Sequence, residues 1–389
     1  MRPTDLLLRF VDSTGSRREA AFYLELFRSA QPFALIAVSE PVLREASDAV
    51  IADLRFLARL GLTPALWLDG FEATPAGSEV LQEHRRRLIE QLRPEVSCAP
   101  LDVRGHADTT LAEAVTRAAQ AGHVPILTQL AQAPEAPCGM AEMAALSAAL
   151  NTRKLVFLGR RSGLEPEGAP IPSLVDLPRE HAPLRARLGP EQAALLDGIS
   201  ALIDQVPHRL TVAVTSPFAL LRELFTMRGA GTLIRRGARI DHRVGFGEVD
   251  IDAVRRLLES AFERPLAAEF FTRPVSALYV ADDYRGLAVV KDTPHGPYLS
   301  KFAVERQAQG EGVGGDLWRA LCAAHDTLLW RSRAENPVNA WYAQRCHGMI
   351  RVDPWQVFWR GLEVERVPAA VRFVLDQPAD FPLLTAAAQ

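Results

Sequence analysis

Two arginines, two asparagines and a tyrosine stand at chemically useful spacings in Leu329-Trp330-Arg331-Ser332-Arg333-Ala334-Glu335-Asn336-Pro337-Val338-Asn339-Ala340-Trp341-Tyr342. The apolar lead-in reads as a strand. Residues two apart on a strand share a face, so Arg331 and Arg333 offer paired guanidinium forks that suit a carboxylate. Asn336-Pro337 favours a turn and a helix start, which puts Asn339 and Tyr342, three apart, on one helix face. The competing reading makes the arginines strand-edge charges and Tyr342 a half-buried core residue.

A second signal lies upstream. Gln307-Ala308-Gln309-Gly310-Glu311-Gly312-Val313-Gly314-Gly315 follows a predicted strand and opens a predicted helix. Glycines let successive N–H groups turn inward, and a helix N-terminus adds partial positive charge, so such a loop can hold a phosphate. It is no Walker loop, since Gly-Lys-Ser/Thr is absent and the nearby Lys301 precedes the glycines. A tight packing turn is the alternative. Lys301 carries its own signal: of 44 basic residues only Lys154, Lys291 and Lys301 are lysines. A lysine kept against that bias points to a need for a compact ammonium.

Composition narrows the class. With 389 residues, 48% apolar and 23% charged, the chain fits two or three globular domains and excludes disorder and coiled coil. A formal net charge of −3 gives no footprint for nucleic acid or anionic membrane. No run of 18 apolar residues occurs and the N-terminus lacks a signal pattern, so the expectation is a cytoplasmic chain without membrane contact. Cys98, Cys138, Cys322 and Cys346 match neither a zinc knuckle nor a redox pair, so they are expected to be buried thiols and no metal is expected.

The elements that must position these residues fall into two patterns. Apolar runs near 33–38, 65–68, 124–127, 155–158 and 211–214 alternate with helix-period stretches, which predicts an open, mostly parallel α/β sheet. Residues 162–191, rich in glycine and proline, are expected to form a surface excursion, and 228–232 a loop. From about 243 the order becomes strand, two helices, strands near 276–281, 286–291 and 297–304, the glycine loop, a helix at 312–324, and a strand at 327–330. A short helix and two closing strands follow, an α+β order. The tail after 376 is expected to fray.

Gln/Arg-x-x-Gly-x-Gly/Ala at a strand-to-helix turn, here Gln307, Gly310 and Gly312, resembles the pyrophosphate loop of the GCN5-related N-acetyltransferases. Several stretches recur in order and at similar intervals in the acetyltransferase domain of vertebrate-like N-acetylglutamate synthases: Tyr298-Leu-Ser-Lys301-Phe, the glycine loop, Trp330-Arg-Ser-Arg-x-x-Asn-Pro-x-Asn-x-Trp-Tyr342 and Trp355-Gln-Val-Phe-Trp-Arg-Gly-Leu362. Leu224 to Gly237 is similar to that family's junction between domains. The resemblance implies an amino-acid kinase-like domain over 1–235, expected to be kinase-inactive and to serve assembly and regulation, and an N-acetyltransferase domain over 236–389.

It further implies transfer of acetyl from acetyl-CoA to the α-amine of L-glutamate, in arginine biosynthesis, by direct attack in a ternary complex. Lys301, Arg331 and Arg333, with the main chain at Phe302, become acceptor ligands, and Arg264 stands where relatives often carry lysine. Acetyl-CoA is placed on Phe302, Ala303, Val304, Gln309, Gly310, Glu311, Gly312, Val313, Gly314 and Asn339. Asn336 would orient the amine and Tyr342 would donate to the leaving thiolate, since a tyrosine is protonated at neutral pH.

The first half resembles the amino-acid kinase fold but lacks its phosphate chemistry. A working kinase carries Lys-x-Gly-Gly after the first strand and glycines after the second. Here those strands run into Ser39-Glu40-Pro41 and Asp69-Gly70-Phe71-Glu72. The resemblance implies homo-oligomerisation through this half and an L-arginine effector site, with Glu142 and the 160–185 region as its candidate. The alternatives are a bifunctional synthase and acetylglutamate kinase, or a non-catalytic protein sensing CoA or arginine.

Overall fold

Short runs of leucine, valine and isoleucine become the central strands of the first sheet because both of their faces are covered. In the computed structural model, which describes residues 17–28, 32–69, 71, 77–103, 109–129, 139–226, 229–378 and 380–381, the chain divides into two units, Met1–Arg236 and Gly237–Gln389. Cys138, Gly70, Glu72, Met227, Arg228 and the side chain of Gln307 lie outside the described residues.

The first unit runs α1 (Arg17–Arg28), β1 (Leu35–Ser39), α2 (Glu40–Glu45), α3 (Ser47–Arg59), β2 (Ala65–Asp69), α4 (Ser78–Leu92), β3 (Cys98–Val103), α5 (Thr109–Gln120) and β4 (Val124–Gln129). It continues α6 (Met140–Ala149), β5 (Lys154–Leu158), β6 (Leu174–Asp176), α7 (Leu177–Arg185), α8 (Pro190–Gln205), β7 (Thr211–Thr215), α9 (Leu220–Phe225) and β8 (Thr232–Arg235). The strands form one sheet in the order β3-β4-β2-β1-β5-β7-β8-β6, parallel except between β7 and β8. Every residue of β1 and β2 is buried, as expected for a sheet with helices on both faces. The excursion expected over 162–191 is corrected here: it holds β6 and α7, because Leu174–Asp176 finds a parallel partner in Leu233–Arg235, far off in sequence. Thr232, expected in a loop, opens β8.

The strand order reverses direction between β1 and β5, where doubly wound sheets bind ligands beyond the carboxyl ends of their strands. At that edge Glu40 is buried and pairs with Arg44 at 3.1 Å and His84 at 3.3 Å. Lys154 sits at the opposite end, some 13 Å of strand away. Its ammonium donates to the carbonyl and the carboxylate of Glu223, both at 3.2 Å. Glu223 in turn accepts from the Ala230 N–H at 2.8 Å, so this lysine pins the loop before β8.

The second unit runs β9 (Ile240–Arg243), α10 (Ile251–Phe262), β10 (Ala277–Ala281), β11 (Gly286–Lys291), β12 (Tyr298–Val304) and α11 (Val313–Ala324). It closes with β13 (Leu328–Arg333), α12 (Asn339–Ala343), β14 (Gly348–Val352), β15 (Trp355–Arg360) and α13 (Val367–Leu375). Sheet order is β14-β15-β13-β12-β11-β10-β9. One face packs on α11 and α12 through Trp318, Leu321, Trp330 and Tyr342. The other packs on α10 through Leu257 and Leu258, and on α13 through Val371 and Val374. Asp250 starts α10 by accepting from the N–H groups of Asp252 and Ala253 at 2.9 and 3.1 Å, an ordinary N-cap.

Two irregularities matter for function. The parallel ladder between β12 and β13 holds only at Tyr298↔Leu329 and Leu299↔Trp330, so beyond Leu299 the strands part. Against β11 the register of β12 shifts between Val289 and Val290, leaving Ser300 as the extra residue of a bulge. A bulge reverses side-chain alternation. Leu299 and Phe302 therefore both pack toward α11, while Tyr298 and Lys301 both lie in the fields of Asp380 and Arg331.

Candidate active site

The wedge between β12 and β13 puts different chemistry on the two faces of the sheet. On the α11–α12 face the aromatic rings of Phe302, Trp318, Trp330, Trp341 and Phe358 surround Tyr342 at centroid distances of 5.5–6.3 Å. Tyr342 is buried, and that burial pushes its phenol far above the ordinary range. It therefore keeps its proton through the whole neutral range and can only donate.

The turn predicted at Asn336-Pro337 is what places it. The Asn336 side-chain oxygen accepts from the Val338 N–H at 3.1 Å, its backbone oxygen accepts from Asn339 at 3.0 Å, and one helical turn follows. Asn336 thus shapes the turn with the oxygen that a role in orienting the amine would need. Asn339 donates its amide to the carbonyls of Arg333 at 2.8 Å and Ala334 at 3.1 Å. Its amide oxygen is buried without a hydrogen bond among the described residues. An orphan acceptor beside the wedge suits an amide N–H of a pantetheine arm, and such an atom costs about 1–3 kcal/mol until satisfied.

The glycine loop is a cradle of main chain. Gly310 and Gly312 hold φ values of 87° and 81°, a region closed to most side chains. Gly312 caps α11, so the first N–H groups of that helix open toward the loop. Val313 contributes only main chain, since its side chain is buried in the core. Glu311 would repel a phosphate, but Arg285 neutralises it in an ion pair. Asp316, in the first turn, is buried, pairs with Arg319 and accepts from Ala238 N–H at 2.8 Å. Replacing Gly312 by valine is expected to raise KM for acetyl-CoA about tenfold or more, with KM for the acceptor unchanged, as steady-state kinetics would show. A left-handed backbone costs a side-chained residue about 1–2 kcal/mol and displaces the loop.

The α10–α13 face is cationic. Lys301 is 7% exposed, ion-pairs with Asp380 and lies 5.5 Å over the Phe270 ring. Burial is the main force pushing its ammonium down to about 8, with Lys291 and Arg331 adding to it and Asp380 opposing. Burial also pulls Lys291 down. Arg331 and Arg333 do share a face, both 4.2 Å over Trp355. Their roles differ from a simple clamp: Arg333 is exposed, and Arg331 donates to the carbonyls of Val374, Leu375, Gln377 and Pro378 at 2.8–3.2 Å. Arg264 lies 5.8 Å from the Phe381 ring centroid.

The tail expected to fray is docked through 376–378 and 380–381 because its carbonyls and the Asp380 carboxylate find these cations; 382–389 lie outside the described residues. Sequence reading missed Arg273, which pairs with Asp380 at 2.8 Å, as well as Asp380 itself. Neither stands in a recognisable motif.

Residues 241–377 match the family model described as the N-acetyltransferase of N-acetylglutamate synthase. Along nearly its whole length the chain is 30% identical to acetylglutamate kinase of Xanthomonas campestris pv. campestris, over 405 residues covering 90% of this chain and 95% of that relative. The chain belongs to the N-acetylglutamate synthase family. The mitochondrial N-acetylglutamate synthase of Homo sapiens is 28% identical over 401 residues, covering 91% of this chain and 74% of the human protein.

The fold agrees. The solved N-acetylglutamate synthase of Neisseria gonorrhoeae, complexed with coenzyme A and N-acetyl-glutamate, superposes with TM-score 0.55 at 17% identity, covering 89% of this chain and 98% of that one. The second unit is accordingly an N-acetyltransferase domain. Among the described residues no helix is long and apolar enough to cross a membrane.

Proposed function

We propose that this enzyme moves the acetyl group of acetyl-CoA to the α-amine of L-glutamate, giving N-acetylglutamate and free CoA in arginine biosynthesis. The observation that carries the reading is the division of labour across the wedge, with a buried cationic pocket around Lys301 on one face and the buried phenol of Tyr342 on the other. Acetyl-CoA supplies the activated acyl carbon and the thiolate leaving group.

The chain's own residues do the rest. Lys301 and its neighbouring arginines hold carboxylates, which orients the amine toward the gap. The main chain of Phe302 and Val304, freed from β13, offers N–H groups where negative charge develops on the acyl oxygen, while Ala303 between them pairs with Leu287 of β11. The attacking amine forms the new C–N bond, its surplus proton leaves to water, and the C–S bond breaks. Tyr342 gives its proton to the departing sulfur and is reprotonated from solvent. Holding both substrates in the wedge replaces a bimolecular encounter by a positioned one.

The test is an acceptor panel with the purified full chain. Thiol release with glutamate should exceed that with aspartate, glutamine or lysine by roughly a hundredfold in kcat/KM, the scale set by leaving a buried charge unpaired. Equal turnover across the panel would sink the acceptor assignment.

As further parts of the proposal, the first unit is kinase-inactive, assembles the protein into a homo-oligomer and takes L-arginine as effector near Glu142 and 160–185, and the protein works in the cytoplasm. The gonococcal synthase solved with coenzyme A and L-arginine supports the effector by fold likeness alone. Running the panel with added L-arginine, and sedimenting the protein, checks both. The description of the Xanthomonas relative as a kinase favours a second reading, phosphoryl transfer to N-acetylglutamate. Against it, the first strand opens on Glu40 rather than lysine, and Lys154 is spent on Glu223. ADP release from ATP and N-acetylglutamate would revive it.

A further inference from the structure

The described end of the chain returns to the acceptor pocket. Beyond α13, Arg331 gathers the carbonyls of Val374, Leu375, Gln377 and Pro378, and the segment turns toward β12. The Ala267 N–H donates to the Asp380 carbonyl at 2.9 Å, and Phe381 packs against Phe262 with ring centroids 4.9 Å apart. The Asp380 carboxylate then accepts from Lys301, from Arg273 at 2.8 Å and from the Ser300 hydroxyl at 3.3 Å. The Lys301 and Asp380 side chains are 7% and 9% exposed, so the contact is nearly dry.

An aspartate side chain is a carboxylate on a methylene, the same group that ends a glutamate side chain. It lies at the bulge that aims Lys301 toward the α10–α13 face. Lys301, Lys291 and Arg273 all act on this one carboxylate, and Arg331 acts on Lys301. Dry clusters with surplus charge of one sign are costly unless further anions enter, and a dicarboxylate brings two.

We propose that Asp380 is a resident stand-in for one carboxylate of the acceptor: it fills the Lys301–Arg273 site when no acceptor is bound, and glutamate enters by displacing the 376–381 segment, with Arg273 then serving as a carboxylate ligand. The inference rests on the glutamate acetyltransferase reading. Acceptor affinity is then lowered by the fraction of molecules that are closed.

Kinetics of the full chain test this. Asp380→Asn should lower KM for glutamate about tenfold if nine-tenths of the free enzyme is closed, leave KM for acetyl-CoA within twofold, and leave the preference for glutamate over glutamine unchanged, since closure weakens every acceptor by the same factor. Arg273→Gln should raise KM for glutamate in the wild-type and Asp380→Asn backgrounds alike. A glutamate KM that stays the same or rises in Asp380→Asn overturns the stand-in role. Hydrogen exchange of the unaltered protein gives an arm independent of folding in the variant: saturating glutamate should speed amide exchange over 373–381, and slowed or unchanged exchange overturns the displacement. Absence of thiol release from wild-type protein with glutamate is a different failure, that of the acceptor assignment itself.

Discussion

Tyr342→Phe is expected to cut kcat about a hundredfold or more, with KM for acetyl-CoA and for glutamate within about threefold of wild type. The phenol is the donor at the centre of the aromatic cluster on the α11–α12 face, and the ring, which phenylalanine keeps, makes all of its packing contacts. Folding and substrate binding should survive while the proton for the departing sulfur is lost. Positioned general acids contribute about 10²–10⁴ in rate. Because burial raises the phenol rather than lowering it, the wild-type rate should show no loss from tyrosine ionisation on the alkaline side. An unaltered kcat in single-turnover thiol release would remove Tyr342 from the chemistry.

The second large effect is on the opposite face. Lys301→Met should raise KM for glutamate about a hundredfold, corresponding to roughly 3 kcal/mol, with kcat at saturation less affected and KM for acetyl-CoA unchanged. Methionine keeps the length and packing over Phe270 but removes the charge that a carboxylate needs. The wild-type protein should show the same dependence through pH. Lys301 binds a carboxylate only while protonated, and burial has brought its ammonium down to about 8, so KM for glutamate should be flat below that pH and climb above it.

Stability runs in the other sense. The unfolded lysine keeps its proton to about 10.4, so between about 8 and 10.4 the unfolded state binds more protons. Stability from this group rises with pH across that window and is lost as pH falls through about 8. A glutamate KM independent of pH from 7 to 9.5 would exclude Lys301 from the pocket.

Much of the fold was legible because its signals are local. The apolar runs at 65–68 and 155–158 lie within the strands β2 and β5, and the helix after the glycine loop starts at Val313, one residue from its expected position. β3 was missed because Cys98–Val103 is half exposed and interrupted by Pro100, and β6 because three residues make a strand only when a distant partner is present. Within the site, the turn at Asn336 was legible from the Asn336-Pro337 pair, but the parting of β12 from β13 and the commitment of Arg331 to the chain's own carbonyls had no sequence signal.

By itself the sequence determined the two-part architecture, the glycine-rich loop that opens α11 and the identity of the lysine, arginine and tyrosine candidates, since periodicity, glycine spacing and residue chemistry are properties of neighbours along the chain. Tertiary structure alone decided which face each side chain reaches. The bulge at Ser300 is a mismatch between two strands, so only their pairing could aim Lys301 toward Arg273 and away from Tyr342. Asp380 is 79 residues from Lys301 along the chain and becomes its partner only when α13 is packed and the tail returns. Burial then gives that contact its force, because charges that water would screen on an open tail face each other here in a nearly dry pocket.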